Sequence, residues 1–167
     1  MKYVIFFDQA KCLGCRSCEV ACAVAHSVSK NLIEAIEEFP VPQQRVRVDD
    51  LEGSPVPILC KHCEAAPCVQ VCPTDAIKKY SRGPVVVDPE LCVGCSSCVI
   101  VCPWGVPMLD RDRKVMIKCD FCMEQIEEGG EPACVSACPT KALTFKSVEE
   151  LVMNLSTFGE KCLCRTE

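Results

Sequence analysis

Sixteen of the eighteen cysteines in this 167-residue chain fall into four groups of four. The groups are Cys12, Cys15, Cys18 and Cys22; Cys60, Cys63, Cys68 and Cys72; Cys92, Cys95, Cys98 and Cys102; and Cys119, Cys122, Cys134 and Cys138. The first and third have the Cys-x2-Cys-x2-Cys-x3-Cys spacing that binds an iron–sulfur cubane, with the fourth thiolate lent to a second cluster. The second group widens one gap to four residues and the fourth widens one to eleven. Sixteen thiolates are what four [4Fe–4S] clusters require, at four ligands each. The constraint on folding is severe, because the chain has to wrap around four inorganic centres.

Composition agrees with that demand. The hydrophobic fraction of 49% counts cysteine, and aromatics are only 5%. A core built from this stock is thin, and a chain of this size has little margin. Metal–thiolate bonds supply the rest, since sites absent from the unfolded chain turn binding energy into folding energy. The apoprotein is therefore expected to be unfolded or molten. Cysteine at this density also suits a secreted disulfide scaffold. Residues 1–7 carry no signal-peptide pattern, and no apolar run approaches the ~18 residues of a membrane span. The expectation is a cytoplasmic protein without a membrane span, in which clustered cysteines mean metal. Zinc sites of four cysteines are a further reading, but three close cysteines followed by Cys-Pro suit a cubane better. The formal charge is −5, and thiolate-ligated clusters would take it to roughly −13. Such a protein is not expected to bind nucleic acid, which needs a basic footprint.

Along the chain, Tyr3–Phe7, Val85–Val87, Lys114–Lys118 and Thr144–Lys146 read as strands, and Arg45–Val48 as a further candidate. Glu19–His26, Leu32–Glu38, Phe121–Glu127 and Val148–Leu155 read as helices, with Gly129–Gly130 ending the third of these. Gly14 and Gly94 take the same place in groups one and three, where the backbone has to turn close to sulfide. Cys72-Pro73-Thr74-Asp75-Ala76-Ile77 recurs as Cys138-Pro139-Thr140-Lys141-Ala142-Leu143. The repeat points to two dicluster units. Spacing leaves their pairing open: groups two and three can pair inside one and four, or the groups can pair in sequence.

The chain resembles the four-cluster electron-transfer subunits of molybdenum oxidoreductases, formate hydrogenlyases and CO dehydrogenases. The resemblance rests on Cys12-Leu13-Gly14-Cys15-Arg16-Ser17-Cys18, Cys60-Lys61-His62-Cys63 with Pro67-Cys68, Cys92-Val93-Gly94-Cys95, Cys102-Pro103-Trp104-Gly105 and Cys119-Asp120-Phe121-Cys122. It implies an α+β, loop-rich fold of two bacterial-ferredoxin-like dicluster domains, one inserted in the other. Residues 1–30 and 105–147 would form the first and residues 55–104 the second, with a spacer at 31–54 and a C-terminal helix and tail at 148–167. It also implies nested ligand sets: Cys12, Cys15, Cys18 and Cys138; Cys119, Cys122, Cys134 and Cys22; Cys60, Cys63, Cys68 and Cys102; Cys92, Cys95, Cys98 and Cys72. Ala23 stands where the family pattern has proline, so the helix carrying Cys22 is free to continue.

The segment Cys22–Leu32 is most similar to the iron–sulfur protein that accompanies nickel CO dehydrogenase. That resemblance implies an anaerobic electron carrier between CO dehydrogenase and an acceptor such as a hydrogenase. The alternative is the electron-transfer subunit of a formate dehydrogenase, formate hydrogenlyase or other molybdenum or tungsten oxidoreductase. No general base, phosphate loop or nucleophile constellation is visible, so the chain is expected to be a partner of an enzyme and not an enzyme. His62 and His26 read as packing or hydrogen-bonding residues, and Trp104 as packing at a domain seam. Arg16, Lys61 and Lys118 adjoin ligands, where each is either a solvated cation or one that raises a cluster potential. Glu124, Glu127, Glu128 and Glu131 read as a solvated acidic face. Cys162 and Cys164 are either a free dithiol or half of an interface metal site.

Overall fold

The computed structural model describes residues 3–81, 83–110 and 112–153. Its strands form two-stranded antiparallel ribbons and its helices are short. β1 (Tyr3–Phe7) pairs with β8 (Leu143–Ser147), Tyr3 opposite Ser147 and Phe7 opposite Leu143. The start of the chain is thereby tied to the stretch just after the last cysteine group. β4 (Ile77–Lys79) pairs with β5 (Val85–Val87), Ile77 opposite Val87. This second ribbon joins the end of group two to the start of group three. β2 (Arg47–Leu51) with β3 (Ser54–Ile58), and β6 (Met108–Leu109) with β7 (Met116–Ile117), make the other two ribbons.

α1 (Ser17–Ala25) carries Cys18 and Cys22 and packs on α6 (Ala133–Ser136), which carries Cys134. α3 (Pro67–Gln70) carries Cys68 and packs on α4 (Ser97–Val101), which carries Cys98. α2 (Leu32–Glu37) and α5 (Met123–Glu127) lie on the outside, and residues 148–153 are helical. α1 continues through Ala23, whereas α4 stops at Val101 because Pro103 follows Cys102. The strand expected at Lys114–Lys118 shrinks to Met116–Ile117, and the one expected at Arg45–Val48 begins two residues later.

Buried side chains gather into two clusters. One joins Ile5, Cys22, Val46 and Leu59 to Cys119, Phe121, Cys134, Val135 and Leu143. The other joins Ala66, Ile77, Val85, Cys98 and Met116. Thiols are thus part of both cores. Cys162 and Cys164 lie outside the described residues, as do the last two positions of the helix expected at Val148–Leu155.

Candidate metal centres

All sixteen described cysteines are free thiols. Cys12, Cys15, Cys18 and Cys138 line one cavity, Cys60, Cys63, Cys68 and Cys102 a second, and Cys72, Cys92, Cys95 and Cys98 a third. Cys22, Cys119 and Cys134 share one core. Burial pushes the Cys134 thiol up, and the nearby Cys22 and Cys122 thiols add to that shift, so the fourth quartet also meets. Neighbouring quartets lie within electrostatic range of one another. Cys134 lies in electrostatic range of Cys18, Cys119 of Cys60, and Cys98 of Cys68. The order in space is therefore group one's first three cysteines, then group four's, then group two's, then group three's.

Local geometry repeats between the two ends of this row. Gly14 and Gly94 both have φ +67°, and the next turn carries Arg16 at +59° and Ser96 at +63°. Asp75 at +53° matches Lys141 at +54°. The amide of Asp8 donates to the Ala142 carbonyl at 2.8 Å, and that of Asp88 to Ala76 at 2.7 Å. Cys15 meets the Ser17 hydroxyl at 3.4 Å and Cys95 meets Ser97 at 3.5 Å. Cys72 and Cys138 each lie 3.8 Å from a threonine hydroxyl, Thr74 and Thr140. The symmetry matches group one to group three, and the Cys-Pro end of group four to that of group two.

The donor set fits a thiolate-held cubane. Burial pushes Cys18 and Cys122 up to about 11, and it raises Cys119 as well. Uncoordinated, these thiols stay protonated near neutrality, and a bound metal deprotonates them outright. Backbone amides already aim at sulfur: Arg45 at Cys22 (3.2 Å), Met116 at Cys92 (3.3 Å) and His62 at Cys60 (3.4 Å). Such donors stabilise thiolate charge and tune a cluster. At the ends of the row, Cys15 and Cys95 are exposed, and the Ser17 and Ser97 hydroxyls lower their thiols.

The residues around the thiols sort differently from the sequence expectation. Trp104 is not packed at a seam: it is 54% exposed, with the Lys61 ammonium 6.0 Å from its ring centroid. His62 is buried, lies tilted by 35° against the Phe121 ring at 3.7 Å between centroids, and accepts the Val85 amide proton at Nδ1 (2.9 Å). Burial, and then the Lys118 charge, lower its imidazole to about 3, so the ring is neutral. Glu124, Glu127, Glu128 and Glu131 are all exposed, as a solvated face requires. Asp120 stands in the sequence only as a member of the Cys119–Cys122 run, with no role assigned to it there, yet it organises the group-four quartet. It accepts from Arg45, from His26 Nε2 (3.2 Å) and from the Cys122 amide (2.9 Å). His26 in turn holds the Cys22 carbonyl through Nδ1 at 2.7 Å. Burial disfavours charge on His26, but its bonds to Asp120 and Cys22 outweigh that and raise it to about 9.

Comparison with known proteins adds chemistry to the geometry. Residues 52–148 match the family described as a 4Fe-4S dicluster domain, and residues 9–25 match a 4Fe-4S binding domain. A thiosulfate reductase electron transfer subunit of Salmonella typhi is 39% identical over 150 residues, covering 89% of this chain and 78% of that protein. An iron-sulfur protein of Rhodospirillum rubrum is 40% identical over 158 residues, covering 87% and 83%. A component of the anaerobic dimethyl sulfoxide reductase of Haemophilus influenzae is 35% identical over 156 residues, covering 90% and 76%.

Proposed function

The protein belongs to the family of 4Fe-4S dicluster electron-transfer subunits, and from that premise we propose that it carries single electrons along four [4Fe–4S] clusters serving a reductase of the molybdenum or tungsten class. It is an electron-transfer subunit, and the bond-making chemistry belongs to a partner. Cys12, Cys15, Cys18 and Cys138 hold the first centre. Cys22, Cys119, Cys122 and Cys134 hold the second. Cys60, Cys63, Cys68 and Cys102 hold the third, and Cys72, Cys92, Cys95 and Cys98 the fourth. In this arrangement residues 55–104 form a dicluster unit inserted into one made by residues 1–30 and 105–147.

The observation that carries the reading is the set of thiol quartets, each in electrostatic range of the next. When bound, each cluster supplies one-electron exchange with little rearrangement. The chain's own residues hold the thiolates and direct amides at sulfur. Cys15 and Cys95, exposed at opposite ends of the row, mark where electrons enter and leave.

Subunit status is supported by exposed apolar surface on α2 and the turn after it, where Ile33, Ile36 and Phe39 are open to solvent. Patches of this kind mark protein contacts. Among the described residues, no helix is long and apolar enough to cross a membrane. The relatives named for thiosulfate and dimethyl sulfoxide reductases support a reductase partner. The nickel CO dehydrogenase partner expected from Cys22–Leu32 gains no support from those names, so the oxidoreductase alternative takes its place. Metal analysis of the complex purified without oxygen tests the choice: molybdenum or tungsten supports it, and nickel would restore the CO dehydrogenase reading. Cys68→Ser tests the wiring. It is expected to lose or alter one cluster, and an unchanged iron content with an unchanged redox titration would refute the ligand set.

A further inference from the structure

Four cations adjoin ligand cysteines, and one of them is inside the protein; Lys11, beside Cys12, pairs with Asp8 at the surface. Arg16 reaches Glu19 at the surface, and Lys61 lies over the exposed Trp104 ring. Lys118 is 3% exposed. It follows β7 directly and precedes Cys119, so the chain sets it where the two cores meet. Its Nζ donates to the carbonyl oxygens of Val85 and Cys119. Its side chain also lines the cavity of Cys60, Cys63, Cys68 and Cys102.

Those two acceptors are neutral carbonyls, and an ammonium has three protons and a full charge to satisfy. Among the described residues no carboxylate pairs with Lys118. His62, on the same seam, accepts the Val85 amide proton and offers no negative charge. Lysine is almost never fully buried unless paired. The negative charge that faces it is that of the thiolates around the adjoining cavity.

We propose that Lys118 is a positioning charge that raises the reduction potential of the centre held by Cys60, Cys63, Cys68 and Cys102, and so biases electrons across the seam toward the inner unit. The inference rests on the ligand set proposed above. Reduction adds one electron, delivered by the neighbouring centre, and makes or breaks no bond. A fixed cation in a poorly screened interior favours the more negative, reduced form.

The test uses the whole chain, loaded with iron and sulfide without oxygen and titrated with dithionite through dye mediators while cluster signals are followed by electron paramagnetic resonance. Cys68→Ala first identifies the centre, and if it changes neither iron content nor any redox step, the ligand set itself has failed and the proposal falls with it. Lys118→Gln keeps a hydrogen-bond donor and drops the charge, Lys118→Met drops both, and Lys118→Arg keeps the charge. The expected result is a more negative midpoint for that one centre in Lys118→Gln and Lys118→Met, with Lys118→Arg near the unaltered protein. If the two neutral variants lose the centre and Lys118→Arg retains it, the cation is needed to hold the anionic centre, and the charge role stands. Midpoints unmoved in every loaded variant overturn the proposal, as does equal loss of the centre in all three.

Discussion

Gly14 and Gly94 occupy equivalent loops at the same φ, yet their surroundings differ. A Cβ on Gly94 would lie 2.1 Å from the Lys114 carbonyl oxygen, a backbone atom that cannot swing aside. On Gly14 it would meet the Pro55 Cβ at 3.1 Å, which a slight shift relieves. Both replacements also carry the left-handed penalty of about 1–2 kcal/mol. Gly94→Ala is therefore expected to lose one cluster, about four irons per chain after anaerobic loading, whereas Gly14→Ala retains its iron. Equal iron in the two variants would refute the steric argument. The glycines and the thiols were legible because cubane binding imposes a local spacing. The role of Asp120 was not, because its partners His26 and Arg45 are 94 and 75 residues away in the chain. Lys118 was visible only as a cation beside a ligand. Its burial depends on how the two cores meet.

Short elements here depend on capping and pairing more than on propensity. α2 has six residues, too few to stand alone as a helix. Asn31 starts it, its Oδ1 accepting the amides of Ile33 at 2.9 Å and Glu34 at 3.4 Å. Asn31→Ala is expected to cost about 1 kcal/mol, seen as faster amide exchange confined to residues 32–37 with iron content unchanged. Exchange quickening across β1 and β8 as well would mean that α2 supports the whole fold. A different local signal explains why β3 was missed. Pro55 and Pro57 argue against a strand, since proline gives no ladder donor. They sit opposite Asp50 and Val48, and the Val48 amide turns away from the ribbon to the Glu19 carboxylate. Both prolines therefore fall at pairs that exchange no ladder hydrogen bonds, a register that only the folded ribbon reveals. Helices α1, α2 and α5 were readable, because a cap, a glycine stop or apolar spacing marks each of them locally.

At the scale of the whole molecule, two small cores carry the chain, and thiols complete both. Cys22, Cys119 and Cys134 sit in one and Cys98 in the other, so emptying the metal sites removes core contacts as well as bonds. Without iron the thiols raised by burial revert to neutral, closely packed groups that attract nothing. The β1–β8 ribbon then has to close the chain ends over a core with little apolar material left, against the entropy of the long intervening loop. Chelation under reducing conditions is expected to abolish tertiary order. By scattering, the radius of gyration should rise from about 15 Å, typical of a folded chain this long, toward the roughly 43 Å of an unfolded one. The near-ultraviolet circular dichroism should vanish in step with iron release. A chelated protein that stays near its folded radius with that signal intact would mean that the polypeptide organises the thiols unaided, and that iron fills a site already built.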